Sequence, residues 1–125
     1  MDLEPGLSGR AVLVVSEADT ASAMGTGAVP VLSTPRLIAL CEEATCLAVS
    51  SLLPEASTTV ASRVQFNHLA AIRVGTALQA EATLYKVEGR RLTFTVSASD
   101  AAGLVGAGRV TRVVVDRDTF MAKAR

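Results

Sequence analysis

The 125-residue chain has few aromatic side chains: three Phe, one Tyr and no Trp, 3% of the whole. Small side chains must therefore fill its interior, which predicts a thin core between closely packed elements or a subunit completed by a partner. With one His, His-rich zinc sites are excluded, and the two Cys match no zinc spacing. Cys41 and Cys46 fall in what reads as one helix, where Cβ vectors five residues apart diverge and cannot be bridged. Twelve basic residues balance twelve acidic ones, and the absence of a Lys/Arg run argues against a nucleic-acid partner. The apolar runs are too short to cross a bilayer. The start, Met1-Asp2-Leu3-Glu4-Pro5, lacks the pattern of a signal peptide, so the expected compartment is the cytoplasm, without a membrane partner.

What is there reads as one domain over residues 1–125, with an ordered core at about 10–120. A chain of this length buries enough surface to fold without a metal or disulfide staple. Val12-Leu13-Val14-Val15 predicts a strand, and Ser16 to Ser33 a long irregular connection carrying Gly25, Gly27 and Pro30. Connections that long in small domains usually carry function. Thr34-Pro35 marks a helix start, with Thr34 as the cap, and Pro54 ends the helix after Leu53. At about 100° per residue, Leu37, Leu40, Cys41, Ala44, Leu47, Ala48 and Leu52 form an apolar stripe that Ile38 and Val49 widen beyond half the circumference. Glu42 falls at the edge of that stripe, while Glu43 falls on the polar face.

The period then changes to two. Val60, Ser62, Val64, Phe66 and His68 share one face of a strand, which turns the only His toward the helix. Alternation over Leu78–Tyr85 and Leu92–Ser99 predicts a hairpin, with the turn around Gly89. In Leu104–Val115 it is blurred by Gly106 and Gly108, as a bulge or close backbone approach would do. One strand, one wide-stripe helix and four antiparallel strands define an α+β chain. The hot-dog arrangement, a curved sheet wrapped around one long helix, fits best; another α+β roll or an open sheet with a helix on one face are the alternatives.

Ser33-Thr34-Pro35-Arg36, Cys41-Glu42-Glu43-Ala44 and Gln65-Phe66-Asn67-His68-Leu69-Ala70-Ala71 together make the chain resemble the fluoroacetyl-CoA thioesterase family of hot-dog proteins. The resemblance covers about residues 10–120, including Glu88-Gly89-Arg90-Arg91-Leu92 and Arg112-Val113-Val114-Val115. It implies an acyl-CoA thioesterase whose catalytic residues are Thr34, Glu42 and His68, a Thr followed by a Glu eight residues on and a His twenty-six further. It also implies a side-by-side homodimer or higher oligomer, with coenzyme A as part of the substrate and no metal or other cofactor. The family's specific enzyme carries bulky Phe in the connection before the helix, where this chain has Gly25 and Ala28, and Gly where this chain has Ala61. Those substitutions place Gly25, Ala28 and Ala61 at the substrate and imply a range wider than fluoroacetyl. Arg63 and Arg73 read most simply as surface charges, with Arg63 the candidate for a CoA phosphate and Arg73 the alternative.

Each residue also has a plainer reading: a helix cap for Thr34, a boundary carboxylate for Glu42, a core imidazole for His68. Eight helical residues span about 12 Å, so Thr34 and Glu42 of one chain cannot touch, and a shared site needs two subunits. The rival function is a non-catalytic acyl-CoA or small-ligand binding module. A hot-dog hydratase is disfavoured, because Arg63 and not Asp stands five residues before His68.

Overall fold

The computed structural model describes residues 2–125. Strand β1 (Ser8–Val14) leads into a connection containing a 3-10 turn (Glu17–Asp19) and one turn of helix, α1 (Ala21–Met24). The long helix α2 (Thr34–Val49) follows, then β2 (Ser57–His68), β3 (Ala77–Glu88), β4 (Arg91–Asp100), β5 (Gly103–Asp116) and a short helix, α3 (Arg117–Lys123). All pairings are antiparallel and the order across the sheet is β1-β3-β4-β5-β2, which leaves β1 and β2 at the edges. Helix α2 touches all five strands, most closely β1 and β3, so the sheet curves around it. This is the wrapped α+β arrangement expected.

The core is thin, as the composition requires. Leu37, Leu40, Cys41, Ala44 and Ala48 of α2 meet Ala80, Ala82 and Leu84 of β3 and Leu92 and Phe94 of β4, all buried. Approach is closest at Gly9: a Cβ there would overlap the carbonyl of Ala44 and the amide of Ala48, so no side chain fits between β1 and α2. Gly108 serves the same end between β5 and β2, where a Cβ would overlap the carbonyl of Gln65.

Four expectations need correction. The cap of α2 is Ser33, whose hydroxyl accepts from the Arg36 amide at 3.2 Å, and Thr34 is the first helical residue. The Ser-Thr-Pro run offers two hydroxyls, and the one a residue earlier has the extended backbone that a cap requires. The α-helix ends at Val49, with a 3-10 turn over Ser50–Leu52, and Leu47 and Leu52 stand exposed at 51% and 38% because the sheet covers the opposite side of the stripe. In β2 a bulge at Ser62 reverses the faces, so Thr59 and not Val60 points inward before it, while Val64, Phe66 and His68 keep the inward side after it. Helix α3 has no counterpart in the sequence pattern, because its seven residues bury no side chain and carry no apolar stripe. Among the described residues no helix is long and apolar enough to cross a membrane.

Candidate active site

The end of β2 and the start of α2 meet at a hydroxyl–imidazole pair. Because Ser33 does the capping, the Thr34 side chain is free, and its Oγ1 lies 2.8 Å from His68 Nδ1. His68 is held by what flanks it. The carbonyl of Val105, the extra residue at a β5 bulge, accepts the amides of Leu69 at 2.8 Å and Ala70 at 3.2 Å, and the residue across from His68 is Gly106. The other ring nitrogen, Nε2, is buried and has no hydrogen-bond partner among the described residues. A buried ring nitrogen without a partner costs free energy unless something outside the chain meets it.

Thr34 and His68 open on a cleft of about 460 Å³ whose other walls include Ala21, Thr26 and Val31 from the connection and Leu69 and Ala70 beyond β2. The connection is tied down over this cleft. Arg36 Nε reaches Asp19 Oδ1 at 3.1 Å, the Ser33 amide donates to the Asp19 carbonyl at 2.9 Å, and the Ser33 hydroxyl donates to Met24 Sδ at 2.8 Å. The helix start itself offers few open amides: Pro35 has none, and those of Arg36 and Leu37 go to Ser33. Gly25 and Ala28 are exposed in the connection, with Gly25 ending α1 at φ 74°. Neither lines the cleft in the single chain; their neighbour Thr26 does.

Glu42 lies two turns further along α2, half-buried as the helical wheel predicts, with Glu43 exposed beside it. Its Oε1 is 3.3 Å from the Arg112 guanidinium, which is itself buried and donates to Thr59 Oγ1 at 2.8 Å and to the Thr59 carbonyl at 3.0 Å. Arg112 is not among the residues that the sequence marks for the site. The signal available was an Arg alternating with buried Val110 and Val114, a charge on an inward position. Ala61 pairs with Arg112 across the sheet, and Arg63, on the far side of the bulge, points outward and is exposed. A single chain therefore unites Thr34 with His68 and holds Glu42 elsewhere, beside Ala61. Cys41, the other reactive type nearby, is buried, and burial pushes its thiol up to about 11, so it stays protonated near neutral pH.

A curved sheet around one helix, with a hydroxyl–imidazole pair beside a cleft at the helix start, places the chain among hot-dog thioesterases. The model of the fluoroacetyl-CoA-specific thioesterase family matches residues 15–118, and the chain belongs to that family. It is 33% identical over 95 residues to the fluoroacetyl-CoA thioesterase of Streptantibioticus cattleyicolor, across 76% of this chain and 68% of that protein. A solved structure of the fluoroacetyl-CoA thioesterase superposes with a TM-score of 0.91 at 27% identity, covering 98% of this chain and 96% of that one. A thioesterase superfamily member from Thermus thermophilus gives 0.89 at 27% identity, covering 98% and 91%, and a hot-dog-like protein from Thermanaerovibrio acidaminovorans gives 0.89 at 27%, covering 98% and 94%. The chain is a thioester hydrolase of this family.

Proposed function

We propose that the protein hydrolyses acyl-CoA thioesters as a homodimer, with Thr34 and His68 of one subunit and Glu42 of the other in each site. The observation that carries this reading is the Thr34–His68 pair at 2.8 Å with Nε2 of the ring left buried and unpartnered. Edge strand β2 supports the dimer, since its outer backbone groups need a partner and it is one of the two strands with a free edge. If two copies join antiparallel along β2 about its centre, position i of one strand meets position j of the other with i + j constant. With Gln65 facing its own copy at the centre, inward Val64 meets inward Phe66, and the extra residue Ser62 then shifts the register so that Ala61, with the Glu42–Arg112 pair beside it, comes opposite His68 of the second copy.

Water and the substrate complete the chemistry; no other cofactor or metal enters. The Glu42 carboxylate takes a proton from water as the water oxygen bonds to the acyl carbon. With the ring as imidazolium, Nδ1–H donates to Thr34 Oγ1, which frees the Thr34 O–H to donate to the oxyanion forming in the cleft. The C–S bond breaks, Nε2–H protonates the departing thiolate, and a proton passing from Glu42 back to His68 resets the site. The absence of Phe bulk at Gly25 and Ala28 supports acceptance of acyl groups larger than fluoroacetyl. A CoA thioester is an intracellular metabolite, which favours the cytoplasm.

A thiol-release assay over acyl-CoAs of graded length tests the reading. His68→Ala and Glu42→Ala are each expected to lower kcat by about 100-fold or more, and Thr34→Val by about as much, with Thr34→Ser retaining most of the rate. Turnover untouched by these substitutions excludes the assigned roles, and acyl-CoA binding without turnover in the unaltered protein favours a binding module.

A further inference from the structure

The outer face of the sheet carries a group of charges that the hydrolytic reading does not use. The strand registers set Lys86, Thr93, Thr111 and Arg63 in one row across β3, β4, β5 and β2. Neighbouring strands stand about 4.8 Å apart, so two hydroxyls occupy the middle of the row and a flexible cation stands at each end. Arg91 flanks the row on one side and Arg109 on the other, and all six line a depression of about 220 Å³.

Four cations meet one carboxylate there, Glu88, which sits 3.6 Å from Lys86. The remaining three, Arg63, Arg91 and Arg109, have no carboxylate within ion-pair distance among the described residues. Four minus one leaves three uncompensated positive charges in a chain whose formal net charge is zero. Held together, these charges repel one another and concentrate a positive field that an anion relieves. Guanidinium forks and hydroxyls match the oxygens of a phosphate. Tyr85, the only Tyr, is exposed at the rim with the Arg109 guanidinium 5.4 Å from its ring centre. An exposed ring beside phosphate-binding cations suits a nucleobase.

We propose that this outer-face depression binds the phosphates of a nucleotide. The chemistry has two sources: the nucleotide end of a CoA thioester, or a free nucleotide that is never turned over. The depression lies on the face of the sheet opposite His68, and its occupancy is independent of the roles given to Thr34, Glu42 and His68.

Calorimetric titration with adenosine 3′,5′-bisphosphate, which has no thioester, tests this, with inorganic phosphate as a second probe. The bisphosphate is expected to bind, more weakly as salt rises. The Arg63→Glu/Arg109→Glu double variant is expected to weaken it by about tenfold or more, through loss of charge-assisted hydrogen bonds. Tyr85→Ala should weaken the bisphosphate and leave inorganic phosphate unchanged. Arg10→Gln, on the same face but outside the depression, should bind as the unaltered protein does. The neutral Arg63→Gln/Arg109→Gln pair, with unfolding midpoints compared, separates loss of the site from loss of the fold. No binding at millimolar bisphosphate, or binding in both double variants as tight as in the unaltered protein, overturns the proposal. Where binding holds, competition with acyl-CoA and a raised KM at constant kcat in the double variants identify the substrate's own nucleotide. Loss of binding with unchanged kinetics identifies a free one. Failure of hydrolysis leaves the titration arms standing, so the two readings fail separately.

Discussion

At the scale of single residues, the site depends on a division of labour between Ser33 and Thr34. Ser33 satisfies the Arg36 amide, anchors Met24 and frees its neighbour's hydroxyl for His68. Removing the cap hydroxyl in Ser33→Ala orphans that amide, and a loss of about 1 kcal/mol in urea unfolding is expected, with Ser33→Thr recovering most of it. Two adjacent hydroxyls before Pro35 cannot be told apart from composition alone, which is why the cap falls one residue earlier than Thr34-Pro35 suggests. Glu42 was legible, because a helical wheel sorts it from Glu43 without reference to anything else in the fold. Arg112 was not: its burial depends on the pairing with Thr59 across β2 and β5, a contact between residues 53 apart in the chain.

Elements carry the next layer. The sequence marks the connection between β1 and α2 as long and irregular but hides its internal order, since the 3-10 turn and α1 are too short to show a period. Asp19 organises it. Its carboxyl is held below the ordinary 3.8, first by the Ser16 amide and further by the Ser16 hydroxyl and the Arg36 guanidinium, against the raising effect of burial. A carboxylate depressed in the folded state stabilises that state above its ordinary value, and the contribution is lost as pH falls through the folded value. Asp19→Asn should therefore lower the urea midpoint near neutral pH, and its deficit against the unaltered protein should shrink below about pH 4. A deficit constant across that range would mean that the carboxylate charge contributes nothing. The strands were legible from alternation, and β2 shows the limit of that reading. A one-residue bulge at Ser62 reverses faces while leaving the sequence pattern almost unbroken, because Thr59 and Val60 are of similar size and Ala61 and Ser62 fit either side.

For the whole molecule, the scarcity of aromatics and the division of the site have one explanation. A core of Ala, Val and Leu lets Gly9 sit against α2, but the thin sheet covers only part of the helix stripe and leaves Leu47, Val64 and Leu69 exposed. A second copy along β2 would cover this surface and deliver Glu42 to the unpartnered Nε2 of His68. That arrangement makes a prediction that no single-chain site can match. Glu42→Ala and His68→Ala subunits, each inactive as homodimers, are to be mixed, unfolded together and refolded. A mixed dimer then contains one site with His68 from the first subunit and Glu42 from the second, both intact, and one site lacking both. Random pairing makes half the dimers mixed, each with one of two sites restored, so about a quarter of the unaltered activity should return. Were Glu42 and His68 to act within one chain, every site in every dimer would lack one of them, and mixing would restore nothing.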